Sequence, residues 1–264
     1  MIDLHTHIIW DIDDGSKSIE MSTVMLSIAA QKGTTSIFAT PHVIEVYNKP
    51  SWEVIVEKSK QIQNIVDNQK LNIKIYPGAE IQMNWELISE IGEQGAYCLN
   101  GGKYALIELP VLEIPEYADE FFYRLMLKGI IPIIAHPERN KNLMQNPSKL
   151  LEWMRKGILL QCNSGSITGS FGKQVRANAE LLLKNKLISF VGSDAHRDKG
   201  RDTNLYDAKK IILDIVGDGY CKEIFYINPE RVLQNELVEI DVPTKIYEIK
   251  STKSIWSKIF NFIR

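Results

Sequence analysis

Short apolar or β-branched runs recur along the chain at residues 2–5, 35–39, 73–76, 104–109, 130–135, 158–162 and 187–191. Between them lie longer segments in which apolar residues return every three or four positions, the spacing of one helical face. Residues 18–32 are the clearest case: Met21, Val24, Met25, Ile28 and Ala29 share a face, Ser18 can cap the start, and Gly33 ends it. Residues 51–70, 116–128, 147–156, 173–186 and 205–216 read the same way, with Pro147 and Ser148 at one helix start and Gly157 at its stop. A shorter helix is expected over 84–92. Strands alternating with helices build a parallel sheet covered by helices. The number of units favours closure into a barrel, with a doubly wound open sheet as the alternative. The alternation stops near residue 225, and Pro229 and Pro243 mark the remainder of the chain as an appendage rather than a second domain.

Composition narrows the class. A chain of 264 residues fits one α/β barrel, and 44% hydrophobic with 24% charged residues suits a globular protein with a substantial core. A formal net charge of −2 gives no reason to expect nucleic acid as a partner. The 3 cysteines, Cys98, Cys162 and Cys221, are far apart and form no CxxC, so neither a disulfide framework nor a zinc finger is expected. No basic segment leads into an apolar stretch at the N-terminus, and no run approaches the ~18 apolar residues of a membrane span. A cytoplasmic location is the expectation.

Candidate chemistry gathers where the runs end. His5 and His7 close the first, His42 follows the second after Pro41, and Glu80 follows the third. Glu108 ends the fourth, His136 the fifth, and Asp194 and His196 the last. All 5 histidines of the chain belong to this set, none to a helix face. In parallel β/α folds the carboxyl ends of the strands form one rim, so residues distant in sequence converge there. His5 and His7 stand two apart on a strand and therefore point the same way. Imidazoles and carboxylates clustered on a rigid rim make a metal or catalytic site. There are more donors than one tetrahedral ion uses, and nitrogen and oxygen donors without thiolate suit manganese, iron or zinc.

The segments HTH, TPH, GAE, IELP, IAHPERN, SGSITGSFGK and GSDAH resemble the polymerase and histidinol phosphatase superfamily. Within it they resemble the bacterial tyrosine-protein phosphatases of capsule and exopolysaccharide operons. The resemblance runs over residues 1–235, taken as the catalytic barrel, and leaves 236–264 as the appendage. It implies a distorted, TIM-like (β/α)7 barrel with three divalent ions, most often manganese, with iron, zinc or magnesium as substitutes. Carried over by motif, His5, His7, Glu80 and Asp194 hold one ion, and Glu80 bridges to a second held by Glu108 and His136. Asp14, His42 and His196 hold the third. Asp13 fits the spacing as well as Asp14 does; the family's D-D-G pattern favours Asp14. Arg139 of HPER and Arg201 are placed against phosphate, with Arg197 a rival to Arg201. Arg139, Arg201, Asp14, His42 and His196 are thus the candidate catalytic residues.

The implied substrate is phosphotyrosine in protein, on the tyrosine-rich tail of a bacterial tyrosine kinase that governs polysaccharide export. Rival readings are a small-molecule phosphomonoesterase such as histidinol phosphatase, a phosphodiesterase acting on DNA, and a metal-loaded module that binds phosphotyrosine without hydrolysing it. A cysteine-based phosphatase is excluded, because the sixth residues after Cys98, Cys162 and Cys221 are Tyr104, Thr168 and Ile227 rather than arginine. The stretch 165–174 fails the Walker pattern at Ile167 and Gln174. An amidohydrolase that shares the HxH pair commonly needs a strand-end lysine, and none of the strand ends has one. Residues 251–264 put Ile255, Trp256, Ile259, Phe260, Phe262 and Ile263 on one helical face and basic and polar residues on the other. That pattern suits contact with an anionic membrane surface or docking on the barrel or on a second subunit.

Overall fold

The computed structural model describes residues 1–110 and 113–247, so the amphipathic segment 251–264 lies outside the described residues. The strands are β1 (Ile2–Thr6), β2 (Ser36–Ala39), β3 (His42–Val43), β4 (Lys74–Pro77), β5 (Glu80–Gln82), β6 (Tyr104–Glu108), β7 (Ile131–Ala135), β8 (Leu159–Asn163) and β9 (Phe190–Gly192). Every pairing between them is parallel. β2 pairs with β4 and β3 with β5, so β2/β3 and β4/β5 are two expected strands that continue past a break. The first break falls at Pro41, which has no N–H for the ladder. Around the sheet, strand order then follows chain order. The ends meet where His7 N–H donates to Ala195 O (3.0 Å) and Asp194 N–H to His5 O (2.8 Å). A doubly wound sheet reverses its order midway. This one does not, and it is a curled, distorted barrel.

The last strand starts later than its apolar run. Leu187 N–H bonds back to Leu182 O, closing the preceding helix, and this spends the first residues of the run on a helix end. The helices are α1 (Ile19–Gln31), α2 (Trp52–Asn68), α3 (Ala118–Leu127), α4 (Lys141–Gln145), α5 (Ser148–Arg155), α6 (Ser164–Thr168), α7 (Lys173–Lys184), α8 (Tyr206–Lys222) and α9 (Asn228–Leu233). Ser18 Oγ caps α1 by accepting from Met21 N–H at 3.2 Å. The helix expected over 84–92 is only a 3-10 turn, Trp85–Ser89, because Gly92 turns the chain at φ 78°. The one expected over 205–216 runs on to Lys222 across a break at Gly217.

Two apolar layers follow from strand alternation. Leu4, Phe38, Leu106, Ile133, Leu159 and Phe190, one from each of six strands, fill the barrel interior with Tyr76 against them. The opposite strand faces bury Ile37, Ile81, Ile107, Ile134, Leu160 and Val191 under the helices. Val232 of α9 joins the interior layer, and Tyr104 Oη accepts from Val238 N–H at 3.0 Å. The amino ends of the strands are thereby plugged, leaving the carboxyl rim open to solvent. Among the described residues no helix is long and apolar enough to cross a membrane.

Candidate metal centre

All the histidines and acids expected from the strand ends reach one rim. His5 Nδ1 lies 3.0 Å from Gln161 Oε1, and Gln161 Nε2 donates to Asn163 Oδ1 at 2.9 Å, which fixes how the amide is turned. His5 therefore donates from Nδ1 and keeps a bare lone pair on Nε2. His7 Nδ1 lies 2.7 Å from Asp13 Oδ2, so it too donates from Nδ1 and turns its Nε2 toward the cluster. The two Nε2 atoms face each other at 3.1 Å. Two lone pairs that close repel unless a cation or proton lies between them. Glu80 Oε2 is 3.1 Å from both, and Asp194 Oδ1 is 3.6 and 3.4 Å away. Ligand atoms of His5, His7, Glu80 and Asp194 lie within 4.8 Å of one another, a donor set that fits a divalent ion.

Two further groupings adjoin this one. Glu80 Oε2 and His42 Nδ1 are buried 3.0 Å apart, yet neither has a hydrogen-bond partner. Glu108 completes a grouping with them, and His136 Nε2 lies 2.9 Å from Glu80 Oε1 and 3.7 Å from Glu108 Oε1. His196 Nδ1 lies 3.1 Å from Asp194 O, leaving its Nε2 3.2 Å from Asp14 Oδ1. Asp14 Oδ1 is also 3.5 Å from His42 Nε2, and His7 joins these three in the last grouping. The adjacent acids separate by environment. Asp13 is buried against His7 and accepts from Gly15 and His42 N–H, whereas Asp14 faces the cluster with a side chain 66% exposed.

Local backbone choices make this convergence possible. His136 (φ 32°) and Asp194 (φ 50°) are left-handed, a conformation that costs a non-glycine residue about 1–3 kcal/mol and concentrates at functional sites. A Cβ on Gly192 would sit 2.5 Å from His5 Cβ, so only glycine lets β9 close against the histidine strand.

Electrostatics bind the groups into one unit. Burial favours neutral imidazoles, but Asp13 overrides it at His7, whose pKa rises well above the usual range. Against the same burial, Glu80 raises His42 and takes His136 to about 9. In return, and again against burial, nearby imidazoles draw Glu80 and Asp194 well below ordinary carboxylates. Burial and the Glu80 charge raise Glu108, while burial and the charge on His7 lower His196 to about 3.

The arginines divide as well. Arg139 Nη1 donates to Asp194 Oδ2 at 2.9 Å, and Arg201 donates to Asp194 Oδ1 (2.6 Å) and its carbonyl (3.0 Å). Arg197 instead donates to the carbonyls of Asp14, Gly15 and His196. Cavities flank the cluster: one of about 60 Å³ beside Glu108, His136 and Arg139, and an open one of about 500 Å³ beside Asp13, Asp14 and His42. A third, about 190 Å³, lies against Arg201 and Phe171.

The strand-end reading missed three supports. Gln161 orients His5, Asn163 donates to Asp194 Oδ2 at 2.6 Å, and buried Glu138 accepts from Asn163 N–H (3.0 Å) and Ser166 Oγ (2.6 Å). Gln161 and Asn163 did leave a signal, being polar residues on alternate positions of an otherwise apolar strand.

Comparison with known proteins gives the chain a family and a fold neighbour. The chain is 36% identical to the tyrosine-protein phosphatase YwqE of Bacillus subtilis over 241 residues, covering 90% of this chain and 93% of that one. It is 29% identical to the tyrosine-protein phosphatase CpsB of Streptococcus pneumoniae over 243 residues, 90% of this chain and 100% of that one. A chain from the crystal structures of YwqE and CpsB, metal-dependent tyrosine phosphatases, superposes with a TM-score of 0.88 at 34% identity, covering 94% of this chain and 100% of that one. Residues 1–234 match the family model for capsular polysaccharide synthesis, CpsB/CapC, and the chain belongs to that family.

Proposed function

We propose that this protein is a metal-dependent phosphatase that hydrolyses phosphotyrosine in protein, with the tyrosine-rich tail of a bacterial tyrosine kinase as its substrate. The observation that carries the metal reading is that the Nε2 atoms of His5 and His7 face each other 3.1 Å apart beside Glu80 and Asp194, an approach that a shared cation satisfies. His5, His7, Glu80 and Asp194 hold one ion, Glu80, Glu108 and His136 a second, and Asp14, His42 and His196 a third, with manganese the first choice of metal. When bound, such ions activate water and neutralise phosphoryl oxygens. The chain's own residues do the rest. Arg139 and Arg201 present guanidinium forks to the non-bridging oxygens. Asp13 and Gln161 hold the imidazoles of His7 and His5 in the tautomer that leaves Nε2 free. A tyrosyl leaving group, with a pKa of about 10, needs less help from an acid than an alkyl alcohol does.

The deciding assay offers the manganese-loaded protein a phosphotyrosine peptide, histidinol phosphate and single-stranded DNA, before and after chelation. Peptide turnover abolished by EDTA and restored by manganese is expected. Activity that survives EDTA, or that appears with histidinol phosphate alone, sinks the proposal.

Metal uptake is also expected to depend on pH. With protein charges alone, His7 and His42 are shifted toward their protonated forms and His136 is raised to about 9. An imidazole must lose its proton to bind a metal, so uptake releases protons and affinity falls as pH drops below about 9. Calorimetric titration in buffers of different ionisation enthalpy measures this release. A manganese affinity constant from pH 6 to 9, with no proton release, contradicts the assignment.

A further inference from the structure

The segment SGSITGSFGK leads from β8 through α6 to α7, and nothing in the metal reading accounts for it. Between the two helices the chain turns at Gly169 (φ 91°) and Gly172 (φ 93°), and Phe171 folds back over α6. A Cβ on Gly165 would stand 2.8 Å from the Phe171 ring, so that glycine lets the ring settle there. The guanidinium carbon of Arg139 lies 4.8 Å from the ring centroid and that of Arg201 lies 5.7 Å from it. The three residues come from different connections, after β7, α6 and β9 respectively.

Two guanidiniums that share one carboxylate repel each other, and Asp194 is a poor sole anchor for them. Its oxygens also belong to the donor grouping with His5, His7 and Glu80, so a cation there draws on the same lone pairs. Each arginine side chain is 32% exposed and has room to swing away. An aromatic ring supplies a hold of another kind. It attracts a guanidinium through the face and leaves the in-plane N–H donors free for oxygen acceptors.

We propose that Phe171 is a positioning residue, a shared aromatic platform that keeps Arg139 and Arg201 together as a pair for the phosphoryl oxygens. The inference rests on the reading that these arginines bind the phosphoryl group. It assigns the loop 169–172 a part in substrate affinity rather than in metal binding.

The test uses the full-length, manganese-loaded protein, with inorganic phosphate as a competitive inhibitor and a phosphotyrosine peptide as substrate. Phe171→Leu keeps an apolar side chain without a ring, and its phosphate inhibition constant and KM are expected to rise about tenfold. Its kcat and metal content are expected to stay within about threefold of the parent, since no donor of the metal groupings changes. Phe171→Tyr restores the ring and is expected to restore phosphate binding. If Phe171→Leu binds phosphate like the parent, while Arg139→Ala and Arg201→Ala weaken it, the platform is wrong and the arginine reading stands. If Phe171→Tyr does no better than Phe171→Leu, the residue serves packing only, and the platform is again wrong. If both arginine variants bind phosphate like the parent, the arginine reading fails and takes the platform with it.

Discussion

Replacing Glu80 by glutamine is expected to lower turnover of a phosphotyrosine peptide by about a thousandfold or more, because several kcal/mol of metal-dependent stabilisation disappear at about 1.4 kcal/mol per tenfold. Glu80 Oε2 stands 3.1 Å from both His5 and His7 Nε2 and 3.0 Å from His42 Nδ1, while Oε1 stands 2.9 Å from His136 Nε2. Among the described residues no other acid touches as many imidazoles, and two proposed ions share it. Glutamine keeps the volume but removes the charge, and it turns a donor N–H₂ toward atoms that need a cation. Metal content, measured on the purified variant, is expected to fall with turnover. The fold is expected to survive. Buried imidazoles that lose their counter-charge give up protons rather than force the chain open. The Glu80 carboxylate raises His42 and His136, so both should drop toward ordinary values in the variant. Circular dichroism like that of the parent, with little manganese bound and little activity, is the expected combination. Full manganese occupancy with turnover within tenfold of the parent would falsify the bridging role.

The barrel and most of this cluster are legible in the sequence for one physical reason. A parallel β/α chain must place each strand end on the same rim, so the residues that end the apolar runs are neighbours whatever their separation. His5, Glu80, Glu108, His136 and Asp194 are found that way. What the sequence hides is orientation within that rim. Asp13 and Asp14 are equivalent by spacing, and they part only because Asp13 meets His7 Nδ1 and the N–H of His42 and Gly15. His and Asp are enriched among non-glycine residues with left-handed backbone, but only a small share of them adopt it, so residue type alone does not single out His136 and Asp194. The 84–92 segment shows the limit from the other side. Its helical spacing is real, but a glycine turn at Gly92 stops it after one 3-10 stretch.

Arg197 and Arg201 lie four positions apart on one loop, and their substitutions are expected to have different effects. Arg201→Ala is expected to lower kcat/KM for a phosphotyrosine peptide by about a hundredfold, the value of a charge-assisted, two-pronged contact with phosphoryl oxygen. Its manganese content is expected to equal or exceed that of the parent. Arg201 Nη2 now draws on Asp194 Oδ1 at 2.6 Å, and removing it leaves that carboxylate more negative toward a cation. Arg201→Lys keeps the charge without the fork and should recover only part of the loss. Arg197 faces the other way. Its Nη1 holds the carbonyls of Asp14, Gly15 and His196, which places Asp14 against His196 without reaching the cluster itself. Arg197→Ala should therefore lower the unfolding temperature and loosen the grouping that contains Asp14, while inorganic phosphate inhibits it as it does the parent. Measuring metal content beside the phosphate inhibition constant separates the two roles. If Arg201→Ala loses manganese in step with its activity, the residue serves Asp194 rather than the substrate. If phosphate inhibition weakens in Arg197→Ala and not in Arg201→Ala, the two arginines exchange places in the mechanism.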